Sequence, residues 1–109
     1  MKKSLLTICL AFVSCHASYA AGLEYSVEFA GVNSNKQVFV QFEEAVIAEN
    51  CTSKQVLLPS NSEVSDKFLS IALMAKATKS KVVFKPKGCI GNNPSFDADA
   101  SDWAYFYIK

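Results

Sequence analysis

The sequence predicts a mainly β domain with one helix, preceded by an export signal. Three observations carry this. Five short segments between Leu23 and Lys109 alternate apolar and polar residues, or run apolar, over three to eight positions, as strands do. One segment, from about Asn61 to Ala77, instead repeats apolar residues on the helical period. The first twenty residues are basic, then apolar, then small. At 109 residues, half of them hydrophobic, the chain holds one domain and is no disordered tail.

Residues 1–20 are expected to be a secretory signal peptide, with residues 21–109 as the folded domain. Lys2 and Lys3 give the basic start, and Leu5 to Val13 an apolar run broken only by Thr7. Ser18 and Ala20 are small residues at the −3 and −1 positions of a cut after Ala20. The run is too short to span a bilayer, which takes about 20 residues, so no membrane span is expected. Two alternatives stand beside this: a buried N-terminal helix, and lipoprotein processing at Cys15 after Phe12-Val13-Ser14. The expected location is periplasmic or secreted.

Loss of the signal changes the balance of residue types. Removing Lys2 and Lys3 from eleven cations leaves nine against ten carboxylates, a side-chain charge of −1, and none of the nine is Arg. Such a balance does not suggest a nucleic-acid partner. His16 leaves with the signal, so the mature chain has no histidine. Cys9 and Cys15 leave too, and the remaining Cys51 and Cys89 are expected to form one disulfide in an oxidising compartment. A reactive thiol or a metal site is the weaker reading, because no His partner and no C-x-x-C spacing accompanies them.

Leu23 to Ala30 alternates, with Leu23, Tyr25, Val27 and Phe29 on one face and Glu24, Ser26 and Glu28 on the other. Gly31 to Lys36 is rich in turn formers, and Gln37 to Phe42 alternates again, so the two segments are expected to pair as a hairpin. Ala45 to Ala48 either continues that strand past a bulge or starts a third one. Gln55 to Leu58 is a short strand ended by Pro59. Ser60 and Glu63 match a capping box, which starts the helix. Val64, Phe68, Ile71, Ala72 and Ala75 make its apolar stripe. Leu69 and Leu73 are placed roughly opposite, as two exposed leucines or as a contact with a neighbouring subunit. Lys76, Lys79 and Lys81 suit the negative end of the helix dipole. Val82 to Phe84 is a strand, residues 90–101 are read as a polar loop, and Asp102 to Lys109 closes the chain as an alternating strand. A small antiparallel barrel with a helix beside it fits this order, and an open sheet under a helix is the alternative.

Catalytic chemistry is hard to assemble from these residues. The mature chain lacks a histidine base and an arginine clamp, and no spacing singles out a Ser–Lys pair. No enzyme activity, cofactor or metal is therefore expected. Asp97, Asp99 and Asp102 lack the calcium-loop pattern. Carbohydrate binding suits the composition better, because sugars are held by an aromatic face and by amide and carboxylate hydrogen bonds. Asn92, Asn93, Asp97 and Trp103 lie close in sequence and offer both, with Phe96 between them. Trp103 has a second reading as core or interface.

The stretch from Cys51 to Lys109 places, in order, a Cys, a short strand, the helix S-D-K-F-L-S-I-A-L-M-A-K-A-T-K, the strand K-S-K-V-V-F, then C-I-G-N-N-P and a final strand. In that order the chain resembles the B subunits of A-plus-five-B bacterial toxins, above all those like the subtilase cytotoxin B subunit. It is more distantly similar to the enterotoxin B subunits. The resemblance implies an OB-fold for residues 21–109, a homo-oligomer such as a ring, a host glycan as ligand and an A-type toxin subunit as partner. It also implies sugar contact by the loop after the second Cys, where Asn92 and Asn93 stand. The enterotoxin loop has a Trp near its start; Ile90 stands there in this chain. The alternative function is a small periplasmic protein-binding module, an inhibitor or an envelope assembly factor.

Overall fold

The computed structural model describes residues 24–96 and 104–109. The expected signal, Leu23, Asp97 and Trp103 lie outside the described residues. The elements run β1 (Glu24–Val32), β2 (Val38–Ile47), β3 (Thr52–Leu57), α1 (Ser65–Thr78), β4 (Lys81–Lys85), β5 (Cys89–Ile90), β6 (Asn93–Pro94) and β7 (Tyr105–Ile108). Five strands form one antiparallel sheet in the order β3-β2-β1-β4-β7, and β5 pairs with β6 apart from it. The mainly β class with one helix is the one expected. Among the described residues no ladder joins β3 to β7, so the sheet is open along that seam.

The first hairpin is set by Asn33. Its side-chain oxygen accepts from the backbone N–H groups of Asn35 (3.0 Å) and Gln37 (3.1 Å), an Asx turn. Lys36 takes the left-handed conformation that completes the reversal, with φ 63°. The register is then interrupted. Val27 faces Phe42, but Phe29 faces Gln41, so Glu28 is an extra residue in β1. This corrects one expectation. Tyr25 and Val27 point into the core at 4% and 5% exposure, but Phe29, expected beside them, is turned out and 50% exposed. β2 takes the first of its two sequence options and runs on as one strand, with a further register shift between Gln41 and Val46.

The helix starts later than the capping box predicts. Asn61 sits in the left-handed region at φ 72°, which no helix continues through. The Ser62 N–H donates to the Pro59 carbonyl and the Ser65 N–H to the Ser62 carbonyl, both at 3.3 Å, so residues 59–65 form two turns. Val64 is the cap, with no side-chain hydrogen bond, and α1 begins at Ser65. At the other end Lys79 is left-handed, and the Ser80 N–H donates to the Ala75 carbonyl at 2.9 Å, a Schellman closure made without glycine.

Phe68, Ala72 and Ala75 are buried, and Val64 and Ile71 pack at the margin of the core, as the stripe predicts. Leu69 departs from its expected place: it is half-buried against the core. It stands about 100° from Phe68 around the helix, a flank rather than the far side. Leu73 is exposed, next to Met74.

Aromatic side chains dominate the interior. Phe68 of α1 stacks on Phe106 of β7 with centroids 4.0 Å apart, and Phe84 meets both, at 5.7 and 5.5 Å. Phe42 and Tyr25 extend the cluster into β2 and β1. Phe68→Ala removes the ring shared by the helix and two strands. It should lower unfolding free energy by about 3–5 kcal/mol, read from urea denaturation.

Tyr25 adds a pH dependence. Burial holds its phenol above the ordinary tyrosine value, and the nearby Glu44 carboxylate pushes it the same way. The unfolded chain therefore releases this proton first. The contribution is complete below about pH 10 and is lost as pH rises through the folded value. Tyr25→Phe should flatten the alkaline limb of a denaturation midpoint measured against pH.

Candidate functional site

The chain brings two turns together at one end of the sheet. Glu49 and Asn50 form the tight turn between β2 and β3, closed by the Ala48 N–H donating to the Cys51 carbonyl at 2.9 Å. Opposite runs the connection from Lys85 to Cys89. Between them lies a cleft of about 330 Å³, lined by Ala48, Glu49, Asn50 and residues 85–89. The Cys51–Cys89 disulfide joins its two walls, with Cα atoms 6.1 Å apart, inside the range a bridge allows. Cys51 is buried and Cys89 exposed, so the bridge runs from core to surface.

The stretch read from sequence as a loop holds a second hairpin. Cys89 pairs with Pro94 and Ile90 with Asn93, so Gly91 and Asn92 are its two-residue turn. Gly91 has φ 61°, which favours glycine at the first central position of a II′ turn. Gly88 has φ 82° where the chain enters the hairpin. The Lys87 N–H donates to the Ser95 carbonyl (2.8 Å) and the Ser95 N–H to the Gly88 carbonyl (2.9 Å), which extends the pairing.

The far strand of the hairpin is anchored without covalent help. Pro94 and Ser95 are buried, and Phe96 packs on Phe68 and Phe84 at 5.2 and 6.1 Å. The hairpin is therefore held on one strand by sulfur and on the other by the aromatic core. Its tip puts Asn92 in solvent and leaves Asn93 half-buried. Two of the four sequence-proposed sugar contacts thus share one turn; the other two, Asp97 and Trp103, lie outside the described residues. Sequence reasoning missed Glu49, Asn50, Lys85 and Lys87. Only the Cys51–Cys89 pairing pointed to them, because it brings residue 50 beside residue 88.

The cleft is lined by residues of mixed charge: Lys85 and Lys87, Glu49, and the amide-bearing Asn50. It offers hydrogen-bond donors and acceptors. Among the described residues no three His, Cys, Asp or Glu side chains come together as a metal cluster would. No helix there is long and apolar enough to cross a membrane. No protein-family model, no curated protein and no solved structure matches the chain.

Cys51→Ser with Cys89→Ser should cost about 4 kcal/mol by loop entropy for a 38-residue separation. Phe96 should keep the sheet and helix signals in circular dichroism native below the new, lower midpoint.

Proposed function

We propose that the mature chain is an exported, non-enzymatic binding subunit that holds a host glycan and acts as a homo-oligomer, in the manner of toxin B subunits. The observation that carries this reading is the polar end of the molecule: a braced hairpin with two adjacent asparagines at its tip and a cleft at its base. A cleft of about 330 Å³ suits one small ligand group, at the low end of the ~300–1,000 Å³ usual for such sites. A side-chain amide donates and accepts at once, as a sugar hydroxyl does. Rigid anchoring keeps the ordering cost of binding low.

The five-stranded sheet, open along one seam with the helix between its third and fourth strands, is compatible with a partly open OB barrel. Leu73 and Met74, 48% and 60% exposed on α1, supply apolar surface for contact between copies. An A-type subunit is the further partner this reading adds. Each sugar site would be weak, and repeated sites on one assembly would supply avidity. The competing reading, a monomeric periplasmic module that binds another protein, would use the same exposed leucine and methionine.

Light scattering of the exported protein separates the two. A mass several times that of the monomer, reduced by Leu73→Lys without unfolding, supports the subunit reading; a monomer favours the module. On a glycan array, Asn92→Ala with Asn93→Ala should reduce the signal of the glycans held at the hairpin at least about tenfold. Absence of any signal from the native protein removes the glycan reading.

A further inference from the structure

The outer face of the sheet carries a second feature, distant in sequence from the hairpin. The bulge at Glu28 turns Phe29 outward, and two rows of outward residues follow from the register. Phe29, Gln41 and Gln55 lie side by side across β1, β2 and β3, and so do Gly31, Phe39 and Leu57. Their inward neighbours Val40, Phe42 and Val56 are fully buried, which fixes these six on the opposite face. None of the six is charged.

The two rings form a corner. Phe39 leans across the strand so that its far end lies over Gly31; a Cβ on Gly31 would stand 3.3 Å from the ring's Cζ atom. Phe29 meets it edge-on, with centroids 6.3 Å apart and planes at 77°. Phe39 thus lies low as a floor and Phe29 stands as a wall. Gln41 and Gln55 follow Phe29 in its row, and both residues are half-buried.

We infer that this corner is a second saccharide site, which takes the apolar face of a neutral sugar ring on Phe39 and Phe29 and its hydroxyls on Gln41 and Gln55. The C–H face of a pyranose needs an exposed aromatic surface, and its rim of hydroxyls needs groups that donate and accept together. The lack of charge across both rows selects against sialylated or sulfated sugars, whose anion would find no partner here. A second copy of the chain packed on this face is the other occupant, and the test below exposes it. The inference rests on the glycan reading above but places recognition on different residues.

The test is an array of neutral and sialylated glycans probed with the full mature chain. Three variants accompany it: Gly31→Val, Gln41→Ala with Gln55→Ala, and Asn92→Ala with Asn93→Ala. Gly31→Val adds a side chain where the Phe39 ring leans, and a strand accommodates valine well. Both sheet-face variants should lose neutral-glycan signal about tenfold or more while keeping the native circular dichroism spectrum and mass. The asparagine variant should retain that neutral signal. If the sheet-face variants bind as the native chain does while the asparagine variant loses everything, this site is refuted and the hairpin site stands. If they lose mass instead of sugar, the face is an interface between copies and the inference fails. Silence of the native chain on the array overturns both sites together.

Discussion

The contact on which the rest of this small fold depends is the stack of Phe68 on Phe106, with Phe84 against both. It joins the only described helix to two strands that arrive sixteen and thirty-eight residues later. Closing such separations costs chain entropy, so the contacts that reward closure must be large. Six aromatic rings do this, one each from β1, β2, α1, β4, the segment after β6, and β7. A domain of this size buries a modest share of its unfolded surface, and aromatic side chains supply the most area per residue.

That cluster also reaches the proposed ligand end. Phe96 hooks the chain after β6 onto Phe68 and Phe84, while the Cys51–Cys89 bridge holds β5 to the start of β3. A two-residue pairing has little stability of its own. Fastened at both strands, it becomes a stiff mount for Asn92 and Asn93. The cleft beneath owes its form to the same arrangement, since its walls are the two segments the sulfur atoms join.

The sequence revealed the elements with strong periodicity and missed those decided by single backbone conformations. Tyr25, Val27, Val38, Val40 and Phe42 alternate in the chain and alternate in the fold. The helix stripe from Val64 to Ala75 was equally plain. The capping box at Ser60–Glu63 was present as letters, but Asn61 in the left-handed region placed both residues in turns before the helix. Leu69 is half-buried because it stands only about 100° from Phe68 around the helix, on the flank of the stripe where the core still reaches it. The β5–β6 hairpin was hidden in a polar run, since two-residue strands have no periodicity to read; Gly91 beside Asn92 was its only signal. Glu49 and Asn50 carried none, and only the disulfide brings them to the cleft.

The extra residue in β1 has a consequence for how this sequence can change. Before Glu28 odd-numbered positions point inward; after it even-numbered ones do, as Ala30 against the core shows. The strand is therefore written in two reading phases, and Glu28 is the shift between them. Were Glu28 drawn into ordinary alternation, Phe29 would turn inward and Ala30 outward, exchanging the sheet's faces along the rest of the strand; deletion of Glu28 instead leaves Val27 inward, Phe29 outward and Ala30 inward. Point substitutions at exposed Phe29 leave the core intact, and so does removal of the extra residue beside it, whereas straightening the bulge with that residue retained rewrites both surfaces at once. At its present length the strand needs the bulge, more than the side chain of Glu28, to keep an aromatic corner on the outside.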